Sequence, residues 1–206
     1  MEAIPGPLRA VRSWEEALPG GDGDGDVLEA LLLTVGEKGY AATTVREVAE
    51  RAGMTEDRFH RRLGGKEAGF ARAYEGAADE LAAELSAACR AANGWRGAFQ
   101  AGLAGLLRFA AEQPLKAKSL LLEVRAARGA AWVKHQEIVE RVIDALGSAR
   151  EEPGARPGAG PTTAGFVAGA IEESICMELA AGRGEDIERL LPDLTHLAFL
   201  QLFGEG

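Results

Sequence analysis

The chain has 206 residues, 47% of them hydrophobic, and a formal net charge of −9. That length can bury a sizeable core, and the acidic balance argues at first sight against a nucleic-acid partner. Two isolated cysteines, Cys89 and Cys176, exclude a disulfide scaffold and fit a reducing cytosol, and no stretch approaches the run of about 18 apolar residues of a membrane helix.

Residues 1–25 read as a flexible extension, because Pro5, Pro7, Pro19 and the glycine-rich stretch before Asp26 oppose regular structure. Leu8 to Leu18 could still form a short helix, and an arm with Arg9 and Arg12 could reach a DNA minor groove. The segment has no apolar h-region, so no secretory signal is predicted. Asp22, Asp24 and Asp26 alternate with glycine as at the start of a calcium loop. The sixth position, however, is Val27 and the twelfth is Leu33, so a linker is predicted and no metal site.

From Asp26 the pattern turns helical. Asp26 is placed to N-cap a helix whose Val27, Leu28, Leu31, Leu32 and Val35 share one stripe. Gly39 ends it, and Tyr40 is expected to pack back on the core. Thr44 and Glu47 form a T-x-x-E capping box for a second helix, with Val45, Val48, Ala49 and Ala52 inward. Ala52-Gly53-Met54 is a turn of helix-turn-helix length, Gly53 supplying the backbone freedom. Thr55 caps a third helix that buries Phe59 and Leu63 and leaves Arg58, His60, Arg61 and Arg62 nearer to solvent. Gly64-Gly65 stops it, and Lys66 opens a long helix to about Ala92 carrying Phe70, Tyr74, Leu81 and Leu85.

The acidic total conceals an uneven distribution. Residues 26–75 are close to neutral, and Arg58, Arg61, Arg62 and Lys66 fall within nine positions. A local basic face on an acidic chain suits a specific binder that avoids long residence on non-specific DNA.

Asn93 is expected to cap a helix carrying Trp95, Phe99, Leu103, Leu106 and Phe109, with a junction at Pro114. Helices are predicted over 115–127 and 131–149, a loop over the proline- and glycine-rich 150–161, and a helix from Thr163 to Ala181 closed by Gly182. Pro192 either sits in the first turn of the last helix or kinks a longer one. In the last two helices Phe166, Ala170 and Ser174 form one i, i+4 row, and Val167, Ile171, Ile175 and Leu179 another; the final segment is apolar around most of its circumference. Either a two-fold dimer interface or an ordinary intrachain core would bury these faces.

Residues 26–70 resemble the DNA-binding domain of TetR/AcrR-family transcriptional regulators. The resemblance rests on Gly39-Tyr40, the run Thr43 to Ala49, Arg51-Ala52-Gly53-Met54-Thr55, Phe59 and Gly64-x-Lys66-Glu67. The family usually has Tyr, contacting a DNA phosphate, where His60 stands, an aromatic at Leu63 and a small polar residue at Arg58. Beyond this segment the chain matches only in being helical and of the expected length.

The resemblance implies an all-α fold: residues 1–25 an extension, 26–70 a three-helix helix-turn-helix DNA-binding domain, and 71–206 a larger helical effector-binding and dimerisation domain. It implies a homodimeric, cytoplasmic regulator, most often a repressor, on a palindromic double-stranded operator. Thr44, Arg46, His60 and Lys66 would position the DNA backbone, Arg58 and Arg61 would contact guanines, and Thr55 and Glu56 would be secondary readers. Trp95, Phe99, Phe109, Trp132, His135, Phe166 and Cys176 are candidate walls of an effector cavity suited to a largely apolar small molecule. Arg125 and Arg128 could instead pair with an anionic effector. No catalytic motif, metal-ligand spacing or cofactor fingerprint is present, so no enzyme is expected. The alternative is a helical protein-interaction module that kept the fold but lost operator binding.

Overall fold

The computed structural model describes residues 25–204, and these residues form helices joined by short turns. The N-terminal extension, including the Leu8–Leu18 segment, Arg9 and Arg12, lies outside them. We number the helices α1 (Gly25–Lys38), α2 (Val45–Arg51), α3 (Glu56–Leu63), α4 (Lys66–Ala91) and α5 (Gly94–Glu112). Helix α6 joins Pro114–Ala117, a π-helical stretch Lys118–Glu123 and Val124–Ala127. Then come α7 (Gly129–Gly147), α8 (Pro161–Ala180) and α9 (Leu191–Phe203), with 3-10 turns at Ser148–Glu151 and Gly184–Leu190.

The first three helices fold as their end signals require. Thr44 Oγ1 accepts from the Glu47 backbone N–H, and the Glu47 carboxylate accepts from the Thr44 backbone N–H at 3.1 Å, a complete capping box. Thr55 caps α3 by accepting from the Arg58 N–H at 3.3 Å. Gly39, Gly53 and Gly64 take left-handed φ of 87°, 64° and 75° where the chain reverses, a region costly to other L-residues. Asp26 departs from expectation: the helix already includes Gly25, so Asp26 sits in the first turn, where its charge favours the helix dipole.

Phe59, Phe70, Leu31, Val35 and Val48 are wholly buried together, so the helix-turn-helix and the start of α4 share one core. Tyr40 packs on Phe70 with ring centroids 5.1 Å apart. Lys66 locks the turn between α1 and α2, its ammonium donating to the Tyr40 and Thr43 carbonyls at 2.9 Å each and lying 4.5 Å over the Tyr40 ring.

Helix α6 ties this unit to the rest. The backbone of α1 at Gly36 lies so close to Leu115 that a Cβ there would fall 2.0 Å from the Leu115 carbonyl oxygen. Ser119 Oγ donates to the Leu32 carbonyl at 2.6 Å, and Glu123 accepts from the Tyr40 backbone N–H at 2.8 Å. Both residues lie in the π-helical stretch, which sequence periodicity does not foretell; such bulges often occur at functional sites.

Pro192 lies in the first turn of α9, so the proline starts the helix instead of kinking it. The two rows on α8 part company. Val167, Ile171, Ile175 and Leu179 are buried inside the chain, whereas Phe166 and Met177 are 60% and 61% exposed. At α9, Leu194, Ala198 and Leu202 are buried, and Phe199 and Phe203 join Trp95 and Phe99 in an aromatic cluster.

Candidate nucleic-acid interface and effector cavity

Helix α3 buries Phe59 and Leu63 and turns Thr55, Glu56, Asp57, Arg58, His60 and Arg61 to solvent. Its acids do not stand alone. Asp57 pairs with Arg61 at 3.4 Å, and Glu56 lies 3.9 Å from Arg46, which is also 3.9 Å from Glu50. These pairs are exposed, so each contributes only about 0–1 kcal/mol and can exchange for a phosphate at little cost. Among the described residues the Arg58 guanidinium has no ion pair, and the residue is exposed.

Thr44 serves the capping box, and Lys66 holds two carbonyls, so both have structural duties before any DNA contact. A third partner escaped sequence reasoning. Lys38 and Thr44 hydrogen-bond the Glu47 carboxylate and hold its pKa down at about 2, Lys38 contributing most. Lys38 lies nine residues away across a turn, beyond the reach of a local capping pattern.

A cavity of about 260 Å³ lies among α4, α5, α6, α7 and α8. Leu81, Leu85, Leu106, Leu120, Leu121, Ile138 and Ile175 are among its aliphatic wall residues, with Cys89 on α4 and Ala145 on α7 also lining it. At one place the wall is polar. Tyr74 Oη lies 3.0 Å from His135 Nδ1, His135 Nε2 lies 3.3 Å from Glu172 Oε1, and Arg125 donates to that same oxygen at 2.8 Å. With Nε2–H donating to the carboxylate, Nδ1 accepts from the Tyr74 hydroxyl. Burial pushes the Glu172 carboxyl up, but hydrogen bonds from His135 and Arg125 outweigh it and hold it below its ordinary value. Burial, then the Glu172 charge, pushes the Tyr74 phenol well above its ordinary range.

Of the seven expected wall residues, only His135 lines this cavity. Trp95 and Phe99 stack at 5.5 Å in the aromatic cluster of α5 and α9, and Trp95 Nε1 donates to Ser148 Oγ at 3.2 Å. Phe109 is buried in the general core, and Phe166 faces outward. Trp132 stacks behind His135 at 5.2 Å, supporting the imidazole from outside the wall. Cys176 is buried with its thiol pushed up to about 11, chiefly by burial. Apart from His135, the expected aromatic and sulfur-bearing residues give way at the wall to branched aliphatic side chains, with Tyr74 and Cys89 lining it in their place. Arg125 is held by Glu172 and Glu173, which removes it as a free anion receptor.

Residues 27–73 match the family model described as bacterial regulatory proteins, tetR family. The chain carries a TetR-family DNA-binding domain. The TetR-like architecture extends well beyond it. FadR of Bacillus subtilis, solved in complex with stearoyl-CoA, is 14% identical with a TM-score of 0.74 over 88% of this chain and 98% of that one. SmeT, the repressor of the Stenotrophomonas maltophilia multidrug efflux pump SmeDEF, is 18% identical with a TM-score of 0.71 over 90% and 92%. KstR2, a ketosteroid transcriptional regulator of Mycobacterium tuberculosis, is 16% identical with a TM-score of 0.67 over 91% and 98%. No curated protein sequence matches the chain. Among the described residues no helix is long and apolar enough to cross a membrane.

Proposed function

We propose that this TetR-type protein is a homodimeric, cytoplasmic transcriptional regulator, a repressor that releases its operator when a small, largely apolar molecule enters the cavity. The observation that carries the reading is α3, a capped helix on a buried base that presents Arg58 unpaired between two ready-made charge pairs. Arg58 and Arg61 would read guanines, Thr55 and Glu56 would be secondary readers, and Arg46, Thr44, His60 and Lys66 would position the backbone. Arg46 and Arg61 stand beside Glu56 and Asp57, the acids at the start of α3 that would repel phosphate, and this weighs against the interaction-module alternative.

Two α3 helices would enter successive major grooves about 34–36 Å apart, which requires a dimer. Phe166 and Met177 support it. Eleven residues separate them, close to three full turns, so they share one exposed apolar face of α8. FadR, solved in complex with stearoyl-CoA, and KstR2, a ketosteroid transcriptional regulator, support the reading of a largely apolar effector for this chain.

The test is selection of bound sequences from a random duplex pool, followed by anisotropy titration at two salt concentrations. A palindromic motif with steep salt dependence is expected. No enrichment by folded, dimeric protein at low salt would overturn the operator reading. Phe166→Glu with Met177→Glu should yield a folded monomer of much weaker operator affinity, read by sedimentation.

A further inference from the structure

The cavity has a shape and a polarity, and together they narrow what it can take. Its lining runs along α7 from His135 to Ala145, ten residues or roughly 15 Å of helix, and along α4 from Tyr74 to Cys89. A volume near 260 Å³ drawn out over that length is a slot, below the usual range of about 300–1,000 Å³ for drug-sized ligands. Its walls at Leu81, Leu85, Ile138 and Ile175 are aliphatic, suiting a chain more than a flat ring system.

Tyr74, His135 and Glu172 gather at one end, while Ser86 and Arg141 line the cavity further along α4 and α7. Tyr74 and His135 are almost fully buried, and Glu172 joins them from α8. With His135 neutral and its Nε2–H facing Glu172, the hydrogen-bond directions set what this end offers. The Tyr74 hydroxyl proton is directed to His135 Nδ1 and the His135 Nε2 proton to Glu172, which leaves the Tyr74 oxygen lone pairs and the Glu172 carboxylate as acceptors. Arg125 is committed to Glu172 and Glu173, so this cluster of two carboxylates and one guanidinium keeps a negative excess. Arg125 does not itself line the cavity; the lining cation, Arg141, lies six residues along α7 from His135, roughly 9 Å away, beside the exposed Val142 and 3.8 Å from Glu137.

Resting on the effector reading of this cavity, we infer that the ligand is an unbranched amphiphile whose head donates hydrogen bonds, an alcohol or an ammonium, to Tyr74 and Glu172. A carboxylate head would meet Glu172 in a poorly hydrated site and leave charge unpaired there, which is costly. A rigid ring system would not follow the slot.

Four ten-carbon probes separate these features: 1-decanol, decylammonium, decanoate and 1-adamantanol, titrated calorimetrically at neutral pH into the full chain below their aggregation limits. Decanol and decylammonium should each bind about tenfold or more tighter than decanoate and adamantanol, since a like or unpaired charge and a misfit shape each cost about that much. Glu172→Gln should abolish the preference of decylammonium over decanoate while leaving decanol within about threefold; a merely structural Glu172 would weaken all probes alike. Tyr74→Phe should weaken decanol selectively, and it serves as the second variant if Glu172→Gln fails to fold. Decanoate binding as tightly as decanol, or adamantanol more tightly, would overturn the proposal while leaving the effector cavity standing. Ala82→Phe, which fills the slot, should remove all binding. No binding of any probe to the wild-type chain would sink the cavity reading itself.

Discussion

The helix-turn-helix and the helices around the cavity place their polar groups in opposite positions. In the first, they sit at helix ends and turns: the Thr44–Glu47 box, the Thr55 cap, and Lys66 across the Tyr40–Thr43 turn. In the second, turns are left largely to glycine and proline, while Tyr74, His135, Glu172 and Arg125 form a polar chain between helices. End-placed groups fix geometry while leaving a face free for another molecule. Groups set into an apolar wall must satisfy one another, and leaving one unpaired costs about 1–3 kcal/mol or more. A fold that needed only a core would have used apolar residues there, so the contrast supports the proposal of two separate recognition surfaces.

The largest expected effect breaks the join between the two regions. Gly36→Ala drives a methyl into the Leu115 backbone, which cannot yield as a side chain would, and should cost about 3 kcal/mol or more in urea unfolding. Gly76→Ala, where the added Cβ meets nothing, should instead gain about 0.5–1 kcal/mol. Equal effects from the two would mean that α1 and α6 move apart freely.

His135→Phe comes next. It leaves the Tyr74 hydroxyl and the Glu172 carboxylate short of a partner and should cost about 2–4 kcal/mol by chemical denaturation. Unchanged stability would show that the polar chain contributes nothing to the fold.

Within the DNA-binding unit two cations should separate. Arg58→Ala should cost roughly 1–3 kcal/mol in operator affinity and relax one base position, with the melting temperature unchanged. Lys66→Met should lower the melting temperature because two carbonyls lose their donor, and should reduce the salt slope by about one if its ammonium also meets phosphate. A loss at Arg58 that is uniform over all sequences would reassign it to the phosphate backbone.

The mildest effect is a pH dependence. Glu47 titrates near 2 in the folded chain because Lys38 and Thr44 hold its charged form. A depressed carboxyl contributes stability that is fully present above its ordinary pKa and is lost as pH falls towards 2. Thermal melts should therefore decline through that acidic window, and Glu47→Gln should flatten the decline. An identical slope in the variant would show that other carboxylates carry it.

The same contrast explains what could be read from the residues alone. Thr44, Glu47, Gly53, Thr55 and Gly64 act on neighbours within a few positions, so their spacing announced α2, α3 and the turn between them. The helices to either side were legible to within about two residues, the usual uncertainty at helix ends. The cavity wall was not legible. Which of many apolar residues face it depends on helix rotation and crossing, and Trp95, Phe99 and Phe109 turned to other parts of the core. His135 was singled out, but its partners Tyr74 and Glu172 lie 61 and 37 positions away, where no local pattern couples them. The π-helical stretch in α6 was equally silent, since Lys118-Ser-Leu-Leu-Leu-Glu123 reads as ordinary helix.

That stretch carries a consequence for the two surfaces. Leu120 and Leu121 are part of the cavity wall, while Ser119 and Glu123, within the same six residues, grip α1 and the turn at Tyr40. In the proposed regulator, a molecule that displaces Leu120 or Leu121 would strain the hold on α1 and on the turn that leads into α2. Thermodynamic linkage would make that strain reciprocal: on the proposed reading, whatever factor an occupied cavity takes from operator affinity, a bound operator must take from the affinity of the cavity.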